Sequence, residues 1–135
     1  MNKTKIRHLE KSFYANYLKR AEECSKAAQE SFSRKDWTAA TINAIHATIA
    51  ASDALTVRVL GKRASGPHGE VGALLKTLPL DAKDIQTNLT RLERILDIKH
   101  IAEYEERLIE AGEAERALKD MERFVQFVIR HLGAS

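Results

Sequence analysis

Apolar residues recur at intervals of three and four along almost the whole chain, and no window alternates with the two-residue period of a strand. Such spacing gathers them on one side of each helix and leaves helices packed on helices as the architecture able to bury them. Ile6, Leu9, Phe13, Tyr17, Ala21, Cys24 and Ala28 form the first stripe and predict a long helix over residues 4–33, with residues 1–4 as a frayed lead-in. A break follows at Ser33-Arg34-Lys35-Asp36, where Asp36 or Ser33 is placed to cap the next helix. That second helix, over 36–61, carries Ala39, Ala40, Ala44, Ala47, Ala50, Ala51 and Ala54. Side chains this small let neighbouring backbones approach closely, so it reads as the central helix of a bundle.

Residues 61–69 make the main loop, where Gly61, Gly66 and Gly69 accompany Pro67, a residue excluded from helix interiors. Glu70 to Thr77 reads as a short helix closed by Pro79, and Asp81 as the cap of a further helix running to Ala102, with Ile85, Leu89, Leu92 and Leu96 facing inward. The pattern resets near Ala111-Gly112. Ala114, Ala117, Leu118, Met121, Phe124, Val125, Val128 and Leu132 then mark a last helix, and residues 133–135 are expected to fray. Trp37, Phe127 and Ile129 fall outside the main stripes and are expected on a partner surface. Four long helices and one short one predict an all-α, up-and-down four-helix bundle in a single domain over 1–135.

Composition narrows the chemistry. Cys24 is the only cysteine, which removes disulfide frameworks and cysteine metal sites and points to a reducing, cytoplasmic setting. No run approaches the roughly 20 apolar residues of a membrane-spanning helix. Ferritin-like di-iron chemistry would need Glu-x-x-His on two helices, and only Asp97-x-x-His100 comes near. Phosphate-binding loops and dinucleotide fingerprints are likewise missing, so no metal and no cofactor is expected. The 22 Lys+Arg against 19 Asp+Glu permit nucleic-acid binding without requiring it. Positive residues cluster at Lys3, Lys5, Arg7, His8 and Lys11 and again at Arg58, Lys62 and Arg63, patterns that a solvated face explains equally well.

Polar residues on bundle-facing stripes are where chemistry would have to reside, because burying them without partners is costly. Asn43, His46, Ala50, Asp53 and Val57 share one stripe of the second helix. His46 and Asp53 are therefore either a mutually satisfied buried pair or the lining of a pocket or dimer seam. A second concentration is Asp97-Ile98-Lys99-His100-Ile101-Ala102-Glu103-Tyr104. At about 100° per residue, Lys99 and Glu103 fall on the face already held by Leu89, Leu92 and Leu96, with His100 at its edge. Lys99 and Glu103 then form an i,i+4 pair with the lysine stem packed and its charge reaching water, or Lys99 is aimed at a phosphate in a groove. An imidazole such as His100 can exchange a proton near neutrality.

The order of a long helix, a second helix reading Ala-Ile-His-Ala-Thr-Ile-Ala-Ala-Ser-Asp-Ala-Leu (44–55), a glycine-bearing loop with a histidine, and a short helix resembles the HEPN domain of bacteria and archaea. A following helix ends in an element similar to Arg-Asn-x-Ala-Asp-Tyr, here Lys99-His100-Ile101-Ala102-Glu103-Tyr104. The resemblance covers residues 10–132. It implies a four-helix bundle that commonly forms a homodimer, often with a cleft for RNA or a nucleotide at the dimer interface. Many relatives are metal-independent ribonucleases acting as toxins or in defence. Those carry an Arg-x4-6-His motif, in which arginine stabilises phosphate charge and histidine serves proton transfer or orientation.

This chain departs from that motif. Lys99 stands in the arginine position, His100 in the next polar position and Tyr104 in the histidine position. Lysine keeps the charge without the bidentate fork, and a tyrosine side chain, with a reference pKa of about 10, is a poor base at neutral pH. A competing register pairs Arg94 with His100, which lie about 120° apart on a straight helix and so need a bend or a partner subunit to share a target. Three readings follow. The leading one is an RNA- or nucleotide-binding homodimer in a toxin–antitoxin or defence-related setting, with weak or no nuclease activity and binding residues Lys99, His100, Tyr104, His46, Asp53 and Arg63. A nucleotidyltransferase-type antitoxin is the partner such a setting implies. The alternatives are an active ribonuclease drawing its catalytic groups from Arg94, Lys99, His100 and Tyr104, and a non-catalytic module for protein dimerisation.

Overall fold

The computed structural model describes residues 5–66 and 69–132. The expected fraying at 1–4 and 133–135, and Pro67 and His68 of the loop, lie outside the described residues. Elements run in the order β1 (Ile6–His8), a 3₁₀ turn (Lys11–Phe13), α1 (Tyr14–Ser33), α2 (Trp37–Leu60), β2 (Lys62–Ala64), α3 (Gly69–Leu75), α4 (Ala82–Tyr104) and α5 (Ala111–Leu132). The fold is the all-α bundle that the helical period requires.

Helix α2 is its centre and touches α1, α3, α4 and α5. Ala40, Ala44, Ala47, Ala51 and Ala54 are fully buried, and the space their short side chains leave is filled by Phe124 and Met121 of α5 and by Leu92 and Ile95 of α4. A helix enclosed on nearly all sides has little water to satisfy its hydroxyls. Thr41 and Thr48 donate instead to carbonyls of their own helix, on Trp37 and Ala44, each at 2.9 Å. Gly61 ends α2 in the left-handed region at φ 67°, its N–H donating to the Val57 carbonyl at 2.8 Å. A Cβ there would meet the Leu9 carbonyl oxygen at 3.2 Å, so glycine serves both the conformation and the close approach. Asp81 caps α4 as expected, accepting from the Asp84 N–H at 3.0 Å.

The structure differs from the sequence expectation in four places. Residues 5–10 are not helical. Ile6–His8 pairs antiparallel with Lys62–Ala64, placing Ile6 opposite Ala64, Arg7 opposite Arg63 and His8 opposite Lys62, so a short ribbon replaces the first turns of the expected helix and part of the expected loop. Three-residue strands are too short to display a period, and their pairing is set by a distant segment. The ribbon is extended by Leu9 N–H to the Gly61 carbonyl and Ser65 N–H to the Lys5 carbonyl, each at 2.9 Å.

The second difference is at the α1–α2 turn, where neither Asp36 nor Ser33 caps α2. Asp36 stands at the capping position, but its carboxylate accepts from Arg34 Nε at 3.3 Å, while Ser33 Oγ donates back to the Gln29 carbonyl at 3.1 Å. Lys35 makes the turn with a left-handed φ of 64°, and the Lys35 and Asp36 N–H groups close it onto the Phe32 and Ser31 carbonyls. Third, Phe127 is buried rather than presented to a partner, packing against Phe124 and edge-on to His131, because the buried face of α5 is wider than a single stripe. Trp37 is half-buried with its ring edge-on to Phe32, whereas Ile129 is exposed as expected. Fourth, α4 continues to Tyr104, two residues past its expected end.

Candidate functional site

Helix α4 carries a cavity on each side. Between α4 and α5 lies a groove of about 530 Å³, with Ile95, Ile98, Ile101 and Ala117 along it and Arg94, Asp120, Arg116 and Glu113 among its charged residues. On the other side, α1, α2 and α4 enclose a cleft of about 370 Å³ lined by Arg20, Cys24, His46, Ile49, Ala50, Asp53, Lys99 and Glu103. Both volumes are in the range of small-molecule sites.

The cleft contains the second-helix stripe and the α4 element together. Steps of three and four turn His46, Ile49, Ala50 and Asp53 to one side of α2. Lys99 reaches the cleft from α4, its side chain only 13% exposed, and donates from Nζ to Glu103 Oε2 at 2.5 Å. His46 Nε2 lies 3.6 Å from the other oxygen of Glu103. Burial alone would push the Glu103 carboxyl up, but the Lys99 ammonium and the His46 imidazole outweigh it and hold it below the usual range. The two readings of Lys99 are therefore compatible: it forms the i,i+4 pair, and it does so at the wall of a cavity.

Deeper in the same cleft, Asp53 is 6% exposed. Burial pushes its carboxyl up to about 7, against the opposing pull of the Arg63 and Arg20 guanidiniums. His46 and Asp53 do not form the mutually satisfied pair considered above, since His46 turns to Glu103 instead. Arg63 approaches from β2, where its guanidinium lies 5.7 Å from the Tyr17 ring centroid, with Arg20 at 5.2 Å from the same centroid. Arg63 Nη1 donates to the Ala64 carbonyl at 3.3 Å, and its buried Nε has no hydrogen-bond partner among the described residues. The Cys24 thiol is pushed up, chiefly by burial, which keeps it protonated and unreactive.

His100 and Tyr104 stand at the outer edge. Their rings are 5.7 Å apart, both residues are exposed, and Lys99 Nζ lies 5.4 Å from the Tyr104 ring centroid. Lys99, His46 and Asp53 thus share one cleft, Arg63 is close behind it, and His100 with Tyr104 borders it. Arg94 belongs to the opposite groove, where Nη2 and Nε donate to the two oxygens of Asp120 at 2.7 and 3.0 Å. The Asp120 hydrogen bonds hold that guanidinium firmly charged, and Arg94 shares no cavity with His100.

Sequence reasoning did not single out Arg20, which supplies the α1 wall of the cleft. Its only signal was a position three residues beyond Tyr17, and so on the flank of the α1 stripe. Glu103 was visible as the partner of Lys99, but its contact with His46 was not. Among the described residues, no three His, Cys, Asp or Glu side chains gather as metal ligands, and no helix is long and apolar enough to cross a membrane.

No curated protein matches the chain. The family model of the HEPN domain matches residues 14–132, beginning at the first residue of α1 and ending at the last of α5, so that β1 and the 3₁₀ turn both stand before it. With that match spanning most of the sequence and an all-α bundle beneath it, the chain belongs to the HEPN domain family.

Proposed function

We propose that this HEPN domain binds RNA or a nucleotide through the α1–α2–α4 cleft, acts as a homodimer in a toxin–antitoxin or defence-related setting, and has weak or no nuclease activity. The observation that carries the reading is the convergence of Lys99, Arg20 and His46 on a cleft of nucleotide size, with Arg63 behind it. Cations brought together in a concave, partly dry site act on a phosphate more strongly than the same charges spread over a surface. His100 and Tyr104 at the rim offer flat rings on which a base can stack.

Weak nuclease activity fits the same arrangement. Lys99 spends much of its charge on Glu103, and neither Arg94 nor His100 lines the cleft, so neither register of the arginine–histidine motif is assembled there. The competing pair of Arg94 and His100 would have to be assembled across subunits. Incubation of the purified protein with total RNA in EDTA is expected to leave the RNA intact. Cleavage that His100→Ala abolishes would reverse the ranking and establish the metal-independent ribonuclease.

A dimerisation module is the second reading, favoured by the exposure of Tyr104 and Leu108, large apolar residues at the α4–α5 turn. Light scattering at micromolar concentration is expected to give a dimer. A nucleotidyltransferase-type antitoxin would be the heterologous partner, and an adjacent gene for one that co-purifies with this chain is the corresponding test.

A further inference from the structure

Buried carboxylates in folded proteins are paired or hydrogen-bonded, because an isolated one is expensive to desolvate. Asp53 breaks that rule. It is more than nine-tenths buried, it lines the cleft, and its carboxylate accepts no hydrogen bond and forms no ion pair with any described residue. Arg63 and Arg20 act on it only through space. Nothing in α2 requires an acid at this position, since the flanking buried residues Ala51, Ala54 and Leu55 pack without one. The Arg63 guanidinium, outside the cleft lining, acts on Asp53 without bonding to it, and its buried Nε has no acceptor among the described residues. An acid that lines a cavity and is left unmet by the protein marks a ligand that brings hydrogen-bond donors.

The geometry points to a guanine base as that ligand: we propose that Asp53 reads the Watson–Crick edge of guanine in the α1–α2–α4 cleft. This rests on the nucleic-acid reading given above and names the base within it. Above about pH 7, where Asp53 is ionised and where its selectivity has to be measured, the carboxylate is acceptor-only and presents two oxygens side by side. Guanine offers the matching pair of adjacent donors, N1–H and the N2 amino group. Adenine and cytosine each place an acceptor next to a single donor, so one carboxylate oxygen would face a lone pair. Ile49 and Ala50 give the same cleft an apolar wall suited to the face of a flat ring. Along α2, the seven residues from His46 to Asp53 rise about 10 Å. That is close to the reach of a nucleotide from base edge to phosphate, so a base on Asp53 leaves its phosphate within range of the cleft's cations.

The test is equilibrium binding of GMP, IMP and AMP to the full chain by calorimetry, with a G-rich and an A-rich RNA oligonucleotide as further arms. GMP is expected to bind at least roughly tenfold tighter than AMP, because a site built around a hydrogen-bond pair rejects the analogue that leaves it unmet. IMP, which lacks the N2 amino group, is expected between them. Asp53→Asn should remove the preference while leaving AMP binding in place and the protein no less thermally stable. Equal affinities for GMP and AMP in the unaltered protein, or a preference that survives Asp53→Asn, overturn the inference while leaving the nucleic-acid reading intact. Loss of binding on removal of the 2′-hydroxyl, with no difference between bases, assigns the carboxylate to ribose and overturns it too. No binding of any nucleotide or oligonucleotide overturns both readings. A preference confined to the RNA arm identifies guanine within a strand as the source, and one shown by GMP alone identifies the free nucleotide.

Discussion

The two cavities flanking α4 use the same residue types to opposite ends. In the α4–α5 groove the least exposed acids are matched: Arg94 grips both oxygens of Asp120, and Arg107 grips both oxygens of Glu113 at 2.9 and 2.8 Å, while Asp97, Arg116 and Arg123 line the groove with their charges exposed to water. In the α1–α2–α4 cleft, Lys99 and Glu103 pair, but the more deeply buried Asp53, and behind the cleft the Nε of Arg63, have no partner among the described residues. Matched pairs hold helices together and are worth little beyond that. Unmatched buried groups cost stability, and a fold retains them where they do something else. This contrast is what supports the smaller cavity as the proposed site, despite the greater volume of the other.

The sharpest break of this comparison is Asp53→Asn. With its folded carboxyl near 7 against 3.8 for an ordinary aspartate, the unfolded chain loses this proton first. Stability is thus unaffected at low pH, falls as pH rises from 3.8 towards about 7, and carries the full penalty above that. The asparagine variant avoids the penalty. It should melt at a higher temperature than the parent at pH 8, by a margin on the order of 2 kcal/mol, and the margin should vanish near pH 4. A variant less stable at pH 8 would make Asp53 a structural residue and erase the contrast between the cavities.

Next in size is Lys99→Ala. Removing it deletes a cation and also leaves Glu103 with less compensation inside the cleft, so RNA or nucleotide affinity should fall roughly tenfold. For single-stranded RNA the slope of log affinity against log salt should flatten by roughly 0.7. Affinity that is unchanged, or that does not depend on salt, removes the phosphate contact. Asp120→Ala probes the other groove. It should lower stability by about 1 kcal/mol, since Arg94 is more than half exposed and water can take over its hydrogen bonds. RNA binding should stay as it was, and a loss would show that both cavities serve the ligand.

The smallest effect concerns acid. Glu113 accepts from Arg107 and from the Glu110 N–H at the start of α5, which brings its carboxyl down to about 2. Because the folded value is depressed, this contribution is complete above the ordinary glutamate value of 4.5 and is lost as pH falls from there towards 2. Thermal scans of Glu113→Gln should show a flatter acid limb than the parent and little difference at neutral pH. An unchanged acid limb would mean that the groove's matched pairs hold nothing together.

Much of the site was legible in the chain because helices make it so. The steps from His46 to Asp53 and from Lys99 to Glu103 place those residues together on their own helices, whatever the helices pack against. Which helix faces which was not legible. Arg94 and Lys99 look equally available on α4, five residues apart, and only packing sends one to Asp120 of α5 and the other to the α2 side. The ribbon was invisible for a related reason: Arg7 and Arg63 are separated by the whole of α1 and α2, and nothing in either three-residue segment announces its partner.

The sequence by itself determined the all-α class, the alanine-rich centre, the capping by Asp81 and the family, because period, side-chain size and capping chemistry are properties of neighbouring residues. The tertiary structure alone decided that Asp53 is buried without a partner among the described residues, that His46 turns to Glu103, and that Arg20 and Arg63 both approach the Tyr17 ring. Burial and partnership depend on what distant segments bring to the same place, and no local pattern carries that information.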